Sequence, residues 1–358
     1  MNPLDKSTTL ALDRSGVHRS IALLAKQGQQ AWTEGQRITL PASYRTVTNV
    51  VICGMGGSGL GAHAIQFLFW DKLKLPYTVM NGYAVPGSVN KNTLFVGISY
   101  SGTTEEVLAA TAMARRRGAK VVVIASGGPL GAMIDAQTVP GYRFVPTYNP
   151  SGQPRMASGY LGYGLLGILK RLGIVAVSDG EVGQALRVMT ATNRLWQPSV
   201  PAATNAAKKL AEKLHDTMPV LAAADFLTGS IHAFVNQLHE SAKNFAVAFP
   251  IPELNHHLLE GLAYPKKGRR ALQFVFIQSK LYHPTNQRRI EITKEVVENN
   301  GLHFIEHQLT APTKLGQAAE LLVFGSYVSF YAARLNKVDP GPNPWVDFFK
   351  EQLAAGKK

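Results

Sequence analysis

Short apolar runs alternate with longer segments of helical periodicity along most of the chain, and this alternation predicts its architecture. Five strand-like runs come first, at 47–53, 77–80, 94–98, 120–125 and 143–146, and three more follow at 218–224, 271–278 and 303–307. Helical patterns separate most of them, as in parallel sheets connected by right-handed crossover helices. We therefore expect an α/β protein with two parallel sheets.

The helical patterns divide the chain into four parts. They cover 16–27, 159–172, 174–216, 227–245, 286–299, 314–335 and 345–353. The pattern at 174–216 is interrupted by Pro198 and Pro201, which predicts a helical hairpin. We expect an N-terminal helical segment at 1–44, a first domain at 45–175, a helical connector at 176–216, and a second domain with a C-terminal helical tail at 217–358.

The composition is that of an ordinary globular protein, since 46% of the 358 residues are hydrophobic and 17% are charged. No apolar run approaches the ~20 residues that span a bilayer, and residues 1–20 are too polar for a signal peptide. The single cysteine, Cys53, lies inside a predicted strand and cannot form an internal disulfide. These features predict a cytoplasmic protein that does not bind a membrane, with Cys53 in its core.

The formal net charge of +14 raises the question of nucleic-acid binding. The basic residues form only short clusters, at 115–117, 266–270 and 288–289, and no recognition helix or aromatic nucleic-acid motif accompanies them. We expect no nucleic-acid partner. A positive field would also attract phosphorylated small molecules.

Hydroxyl side chains collect where the strand at 94–98 meets the next helix. Ser99, Ser101, Thr103 and Thr104 lie within six residues, and a helical pattern starts at Glu105. Free backbone N–H groups and the positive end of the helix dipole favour an anion at such a junction. A simple Ser/Thr helix cap is the ordinary explanation, so this segment alone leaves a phosphate site open.

A glycine cluster follows the first strand. Gly54, Gly56 and Gly59 have the GxGxxG spacing of a dinucleotide site. A nicotinamide cofactor would also want Asp or Glu at the end of the second strand, which instead ends in Asn81 and Gly82. The glycines are better explained as a turn that lets the backbone approach a small ligand closely.

Gly54-Met-Gly-Gly-Ser-Gly59 followed by Ser99-Tyr-Ser-Gly-Thr-Thr-Glu105 resembles the sugar isomerase (SIS) domain. From about residue 45 onwards the chain resembles the bifunctional phosphoglucose/phosphomannose isomerases of archaea and some bacteria. The resemblance implies two SIS-type three-layer α/β/α domains with parallel sheets, and an active site between them. It assigns the phosphate to Ser58, Ser99, Ser101 and Thr104, and the lining of the sugar site to Gly56 and Gly57.

An aldose–ketose isomerase needs a base that moves a proton between C1 and C2 and a cation near the enediolate oxygen. His239-Glu-Ser-Ala-Lys243 is similar to the family's Asn-Glu-Asn-Ala-Lys segment, which implies that Glu240 is the proton carrier. Arg155 matches the arginine of the family's Pro-Arg loop, which implies an oxyanion stabiliser. Without the resemblance, a surface glutamate paired with Lys243 and a solvent-facing loop arginine are the ordinary explanations.

The ring-opening group is implied by Pro252-Glu-Leu-Asn-His-His257, which resembles the family's Pro-Glu-x-Asn-His-Asn-Glu signature. His256 aligns with the catalytic histidine, and because His257 replaces an asparagine, a register one residue later stays open. Two adjacent histidines rarely bind one metal, and no metal-ligand spacing surrounds them. In this superfamily the histidine reaches into the neighbouring subunit's site, which implies a homodimer.

The C-terminal segment Trp345-Val-Asp-Phe-Phe-Lys350 resembles the family's terminal signature, in which Lys350 would assist ring opening. Seven residues earlier, at a position that the resemblance implies contacts the substrate and makes room for either C2 epimer, the bifunctional enzymes tend to carry Thr. This chain has Asn343 there. The replacement leaves activity on mannose 6-phosphate open and does not affect the implied activity on glucose 6-phosphate.

Taken together, the resemblance implies a homodimeric isomerase that interconverts glucose 6-phosphate and fructose 6-phosphate through a cis-enediol(ate), with no metal or other cofactor. Two alternatives stay open. One is an SIS protein that binds a sugar phosphate as a regulator without turning it over, and the other is an isomerase or deaminase of amino-sugar phosphates. The presence of Glu240, His256 and Arg155 together argues against the regulator, because binding alone needs only the hydroxyls.

Overall fold

The computed structural model describes residues 2–6 and 10–356, and its first sheet occupies the N-terminal half. This sheet contains β1 (Asn49–Gly54), β2 (Tyr77–Met80), β3 (Thr93–Ser99), β4 (Lys120–Ala125) and β5 (Gly141–Arg143). The strand order is β2-β1-β3-β4-β5 and every pairing is parallel. The predicted α/β class with parallel sheets is therefore confirmed.

The second sheet occupies the C-terminal half. It contains β6 (Met218–Ala224), β7 (Val247–Ile251), β8 (Leu272–Gln278) and β9 (His303–Gln308), in the order β7-β6-β8-β9. All three pairings are parallel.

Thirteen α-helices lie in the described residues. Those that precede or belong to the first half are α1 (Val17–Ala22), α2 (Leu24–Gly35), α3 (Leu60–Leu68), α4 (Glu105–Arg116), α5 (Gly128–Asp135) and α6 (Ser158–Arg171). The connecting hairpin and the second half contribute α7 (Asp179–Trp196), α8 (Ala206–Leu214), α9 (Thr228–Gln237), α10 (Leu254–Gly261), α11 (Pro284–Asn299), α12 (Lys314–Leu335) and α13 (Pro344–Ala355). None of these helices is both long enough and apolar enough to cross a bilayer.

Alternation of side chains along the first sheet produces its three layers. Val50 and Ile52 on β1 face one core, whereas Val51 and Cys53 face a smaller one that also contains residues of α4 and α5. Burial raises the pKa of the Cys53 thiol to about 11, which suits a core residue better than a nucleophile. The larger core is continuous and includes residues of both sheets and of α12.

The two halves meet where α3 packs against α9. A Cβ added to Gly229 on α9 would lie 2.1 Å from the carbonyl oxygen of His63 on α3, so this crossing admits only a glycine. The close approach brings the carboxyl end of the first sheet next to the second half of the chain.

The order of the first sheet fixes where a ligand can bind. From β1 the chain moves outward to β2 and then returns to β3 on the other side of β1. Ligands of open α/β sheets bind at such a switch point, outside the carboxyl ends of the strands. Here those ends are Gly54 and Ser99, the residues that begin the two motifs.

Several predicted elements differ from the structure. The helix at 16–27 is two helices separated at Leu23, and the strand at 143–146 lies earlier, at Gly141–Arg143, because Pro146 has no N–H for a ladder. The helix at 227–245 ends in a π-helical turn at Leu238–Ala242 and is followed by β7, an edge strand that we did not predict. We also did not predict α5 and α10.

The domain boundaries stay predictions, and residues 1, 7–9 and 357–358 of the outer segments lie outside the described residues.

Candidate active site

The glycine turn after β1 is in contact with the backbone that carries Arg155. A single 3-10 turn, Gly56–Ser58, links β1 to α3. A Cβ on Gly57 would lie 2.5 Å from the amide nitrogen of Arg155, so no larger residue fits there. Gly56 has φ +48° and open space around it, and a side chain there would be strained. The structure thus places Gly57, one of the two predicted sugar-lining glycines, against the backbone of Arg155.

The buried hydroxyls of the motif hold its turns together. Ser99 Oγ accepts a hydrogen bond from the N–H of Gly102 (3.0 Å) and is hydrogen-bonded to Thr104 Oγ1 (2.8 Å). Ser58 Oγ accepts a hydrogen bond from the N–H of Tyr100 (3.0 Å), which ties the glycine turn to the hydroxyl turn. Ser99 is fully buried. A direct contact between Ser99 or Ser58 and phosphate stays a prediction.

The exposed hydroxyls lie at the start of α4. Ser101 and Thr103 are exposed and hydrogen-bonded to each other (2.8 Å). Thr104 is the N-cap residue of α4, but its side chain makes no capping hydrogen bond. The N–H groups in the first turn of α4 therefore have no hydrogen bond to this side chain. These N–H groups and the nearby hydroxyls can bind an anion together. Thr103 was not among the predicted phosphate residues, although it lies in the same run of hydroxyls.

Arg155 is the most enclosed charged group of the site. Its side chain is fully buried, and all five of its N–H donors are engaged. Nε donates to Ser241 Oγ (2.9 Å), and Nη1 donates to Gln153 Oε1 (2.9 Å) and Glu240 Oε2 (3.0 Å). Nη2 donates to the carbonyls of Pro340 (2.5 Å) and Gly341 (2.7 Å). Burial lowers the pKa of Arg155 while the Glu240 carboxylate opposes that shift, and the guanidinium remains charged.

Glu240 lies on the π-helical turn that ends α9. A π-helical turn inserts an extra residue into the helix and is frequent at functional sites. The Glu240 side chain is 21% exposed, so it reaches solvent while its Oε2 atom bonds to Arg155. The structure therefore brings the predicted proton carrier and the predicted oxyanion stabiliser into one partly buried ion pair.

Lys243 ends this turn with φ +56°, a conformation that turns the chain away from the helix. Its ammonium donates to the carbonyl oxygen of Glu240 and to the carbonyl of Pro342 (2.6 Å). Burial and the nearby charge of Arg155 lower the pKa of Lys243 to about 8. The spacing of three residues suggested an ion pair between the side chains of Glu240 and Lys243. The π-helical turn instead directs the ammonium of Lys243 to backbone carbonyls.

Asn343 is also in contact with the predicted base. Its Nδ2 donates a hydrogen bond to Glu240 Oε2 (2.7 Å). Asn343 was predicted to contact the substrate, and the structure adds this direct contact with the carboxylate.

His256 and Lys350 are not part of this cluster within one chain. His256 is exposed on α10, and its neighbour His257 lies against Phe249. Lys350 is exposed on α13, a helix in which no residue is buried. Their predicted roles in ring opening stay predictions.

Three contributors to the cluster were not predicted from the sequence: Gln153, Ser241 and Lys243. Gln153 lies two residues before Arg155 and Ser241 directly follows Glu240, so both belong to the segments that had been singled out. Their polarity beside the candidate residues Arg155 and Glu240 was the available signal.

Comparisons with known proteins identify relatives along the whole chain. Residues 203–353 match the family described as "Bacterial phospho-glucose isomerase C-terminal SIS domain", and residues 43–135 match the SIS domain family. A bifunctional phosphoglucose/phosphomannose isomerase of Caldicellulosiruptor bescii is 31% identical over 94% of this chain and 99% of its own length. The protein of that name from Thermoplasma acidophilum is 28% identical over 89% of this chain and 94% of its own length.

Among solved structures, a hypothetical protein from Thermus thermophilus superposes with a TM-score of 0.76 at 17% identity. The match covers 99% of this chain and 94% of the other, and at this identity it shows the fold alone. The SIS-type architecture is thereby confirmed. The sequence relationships show more than the fold: this chain belongs to the bifunctional phosphoglucose/phosphomannose isomerase family.

Proposed function

We propose that this protein interconverts glucose 6-phosphate and fructose 6-phosphate as an aldose–ketose isomerase. The observation that carries the proposal is the Arg155–Glu240 ion pair, which lies against the glycine turn at the switch point of the first sheet. A carboxylate base beside a fixed cation, where backbone can approach a ligand closely, is what proton transfer between C1 and C2 requires. Membership of the isomerase family supports the same chemistry.

The phosphate would bind at the start of α4. The hydroxyls of Ser101, Thr103 and Thr104 and the first-turn N–H groups offer neutral donors to its oxygens. Ser99 and Ser58 would act mainly by holding the two turns in place. The sugar would then extend along Gly56 and Gly57 towards Glu240.

Glu240 would carry the proton. Its carboxylate removes the proton from C2 of the open-chain aldose, the C–H electron pair forms the C1=C2 double bond, and the carbonyl electrons move onto O1. The proton on O2 then passes to O1, and Glu240 returns its own proton to C1, which yields the ketose. Because all five Arg155 donors are engaged, Arg155 would stabilise the enediolate through its charge and would hold Glu240 in place.

Ring opening would need a second subunit. His256 on α10 and Lys350 on α13 are exposed, and α13 also exposes Trp345 (81%) and Phe349 (63%). Exposed apolar clusters of this kind are usually covered by a partner. We therefore propose a homodimer in which His256 enters the partner's site.

The test of the function is an assay of Glu240→Gln with glucose 6-phosphate and fructose 6-phosphate. Losing the base should lower kcat by at least ~10²-fold with a nearly unchanged KM, because the amide keeps the shape and much of the hydrogen bonding. The control is Glu298→Gln on α11, an exposed carboxylate that should leave both constants unchanged. Activity of Glu240→Gln above about a tenth of wild type would refute the assignment.

Mannose 6-phosphate is the second aldose to assay. The names of the two relatives include both activities. This chain, however, has Asn343 at a position where the family pattern has Thr. The ratio of the two aldose activities therefore measures how far this replacement restricts the choice of C2 epimer.

A further inference from the structure

Four residues near the C-terminus, 340–343, form a strap across the ion pair. Three consecutive carbonyls of this strap accept hydrogen bonds from cations: Pro340 and Gly341 from Arg155, and Pro342 from Lys243. The N–H of Gly341 donates to Asp339 Oδ1 (2.9 Å), which fixes the start of the strap. The strap is thus tied to the first half of the chain through Arg155 and to the second through Lys243.

The strap ends in Asn343, whose amide has a defined orientation. Its Oδ1 lies 3.4 Å from the ammonium of Lys243, and its Nδ2 lies 2.7 Å from Glu240 Oε2. An ammonium only donates hydrogen bonds and a carboxylate only accepts them, so the oxygen of the amide must face Lys243 and the nitrogen must face Glu240.

The two oxygens of Glu240 are therefore not equivalent. Oε2 accepts from both Arg155 Nη1 (3.0 Å) and Asn343 Nδ2 (2.7 Å). Among the described residues, no hydrogen bond reaches Oε1. With the side chain 21% exposed, Oε1 is the oxygen that remains for a proton.

We propose that Asn343, oriented by Lys243, is a positioning residue that holds Oε2 of Glu240 and so presents Oε1 to the substrate carbons. The proposal rests on the proposed function of Glu240 as the base. Two donors on Oε2 stop the carboxylate from rotating, and a fixed carboxylate serves proton abstraction from the substrate carbons.

The test is Asn343→Leu, which keeps the approximate shape of the side chain and removes both hydrogen bonds. We expect kcat for glucose 6-phosphate to fall by on the order of tenfold while KM stays within about threefold, because the base is misplaced and the phosphate contacts are not. Asn343→Gln, which keeps the amide, should recover part of the lost kcat. A merely structural role would not favour Gln over Leu, because the two side chains have similar volumes.

Lys243→Met is the second variant, because it leaves Asn343 and Glu240 in place but frees the amide to rotate. We expect a smaller loss of kcat, and the double variant Lys243→Met/Asn343→Leu should be no worse than Asn343→Leu alone. The control is Asn300→Leu, which removes a single amide hydrogen bond, to the carbonyl of Val296 at the end of α11.

Two outcomes separate the hypotheses. If Glu240→Gln is inactive while Asn343→Leu folds and keeps the kcat of wild type, the positioning role is overturned and the proposed function stands. If Glu240→Gln is as active as wild type, the function itself fails, whatever Asn343 does. Should Asn343→Leu not fold, Asn343→Ser takes its place, and a wild-type kcat in both Asn343→Ser and Lys243→Met would overturn the proposal equally.

Discussion

Arg155 is a fully buried base and His307 is a half-buried one, and the first is charged whereas the second is neutral. Arg155 has a carboxylate, a hydroxyl, an amide oxygen and two carbonyls around it, so its charge is compensated at every donor. His307 on β9 stacks on Phe324, with ring centroids 3.5 Å apart, and Trp196 lies edge-on to it. Burial lowers the pKa of His307 to about 4, so its imidazole is neutral at physiological pH.

This difference predicts how stability depends on pH. In the folded state the pKa of His307 lies below the unfolded value of 6.5. Its contribution to the free energy of unfolding is therefore complete above pH 6.5 and is lost as the pH falls towards 4. His307→Phe keeps an aromatic ring in that place and removes the titration. Relative to the variant, wild type should lose about 1–3 kcal/mol of unfolding free energy between pH 7 and pH 4.

Denaturant unfolding of both proteins at several pH values measures this loss. The two should be of similar stability at pH 7, with wild type falling further on acidification. Equal slopes would show that His307 is not kept neutral by its surroundings.

At the scale of elements, the strand-to-helix junctions were predictable and the end of α9 was not. Gly54 and Ser99 end strands whose apolar runs are unmistakable, so both motifs were placed correctly from the sequence. The segment 238–251 has helical periodicity up to residue 245, and nothing in that pattern signals the π-helical turn or Lys243 at φ +56°. The strand β7 is a half-buried edge strand that contains Pro250, and such strands have a weak sequence pattern.

The candidate site was predictable only in part, because its contacts join segments that are distant in the sequence. Resemblance identified Glu240 and Arg155, and the structure explains their proximity by tertiary contacts between segments 85 residues apart. The hydrogen bonds from the strap to these residues depend on the path of the chain after α12, which no local pattern specifies.

The start of α4 provides a prediction at this scale. Ser101→Ala combined with Thr104→Val removes two hydroxyls at the proposed phosphate site. Each neutral hydrogen bond is worth about 0.5–1.5 kcal/mol, so the loss of two should weaken binding of fructose 6-phosphate by about five- to 160-fold. Isothermal titration with fructose 6-phosphate, on enzyme carrying Glu240→Gln to prevent turnover, would measure this effect.

Ser178→Ala is the matched control, because Ser178 caps α7 with a hydrogen bond to the N–H of Glu181. It should lower stability by about 1 kcal/mol without changing substrate affinity. Unchanged affinity in the double variant would place the phosphate elsewhere.

At the scale of the whole molecule, the site combines both halves of the chain, and the proposed function requires a second copy. The glycine and hydroxyl turns belong to the first sheet, whereas Glu240 and Lys243 follow β6 in the second half. His256 makes no hydrogen bond to Glu240 or Arg155 within residues 2–6 and 10–356. If it acts in the partner's site, each active centre needs two chains.

Mixing two inactive variants tests this arrangement. His256→Ala and Glu240→Gln, combined in equal amounts and allowed to exchange subunits, should recover about a quarter of wild-type activity. Half of the dimers are mixed, and one of their two sites then contains both intact residues. Subunit exchange must be demonstrated independently, for example by fluorescence energy transfer between labelled chains. Exchange without recovery would place His256 in its own subunit's site or outside catalysis.

The strap has a consequence for how the protein is made. Arg155 and the carbonyl of Pro340 that accepts its hydrogen bond are 185 residues apart, and the contact of Asn343 with Glu240 spans 103. During translation, both charged partners are therefore synthesised long before the segment that compensates and orients them. A nascent chain can therefore form both sheets before residues 340–343 emerge to accept the hydrogen bonds of Arg155 and to orient Glu240.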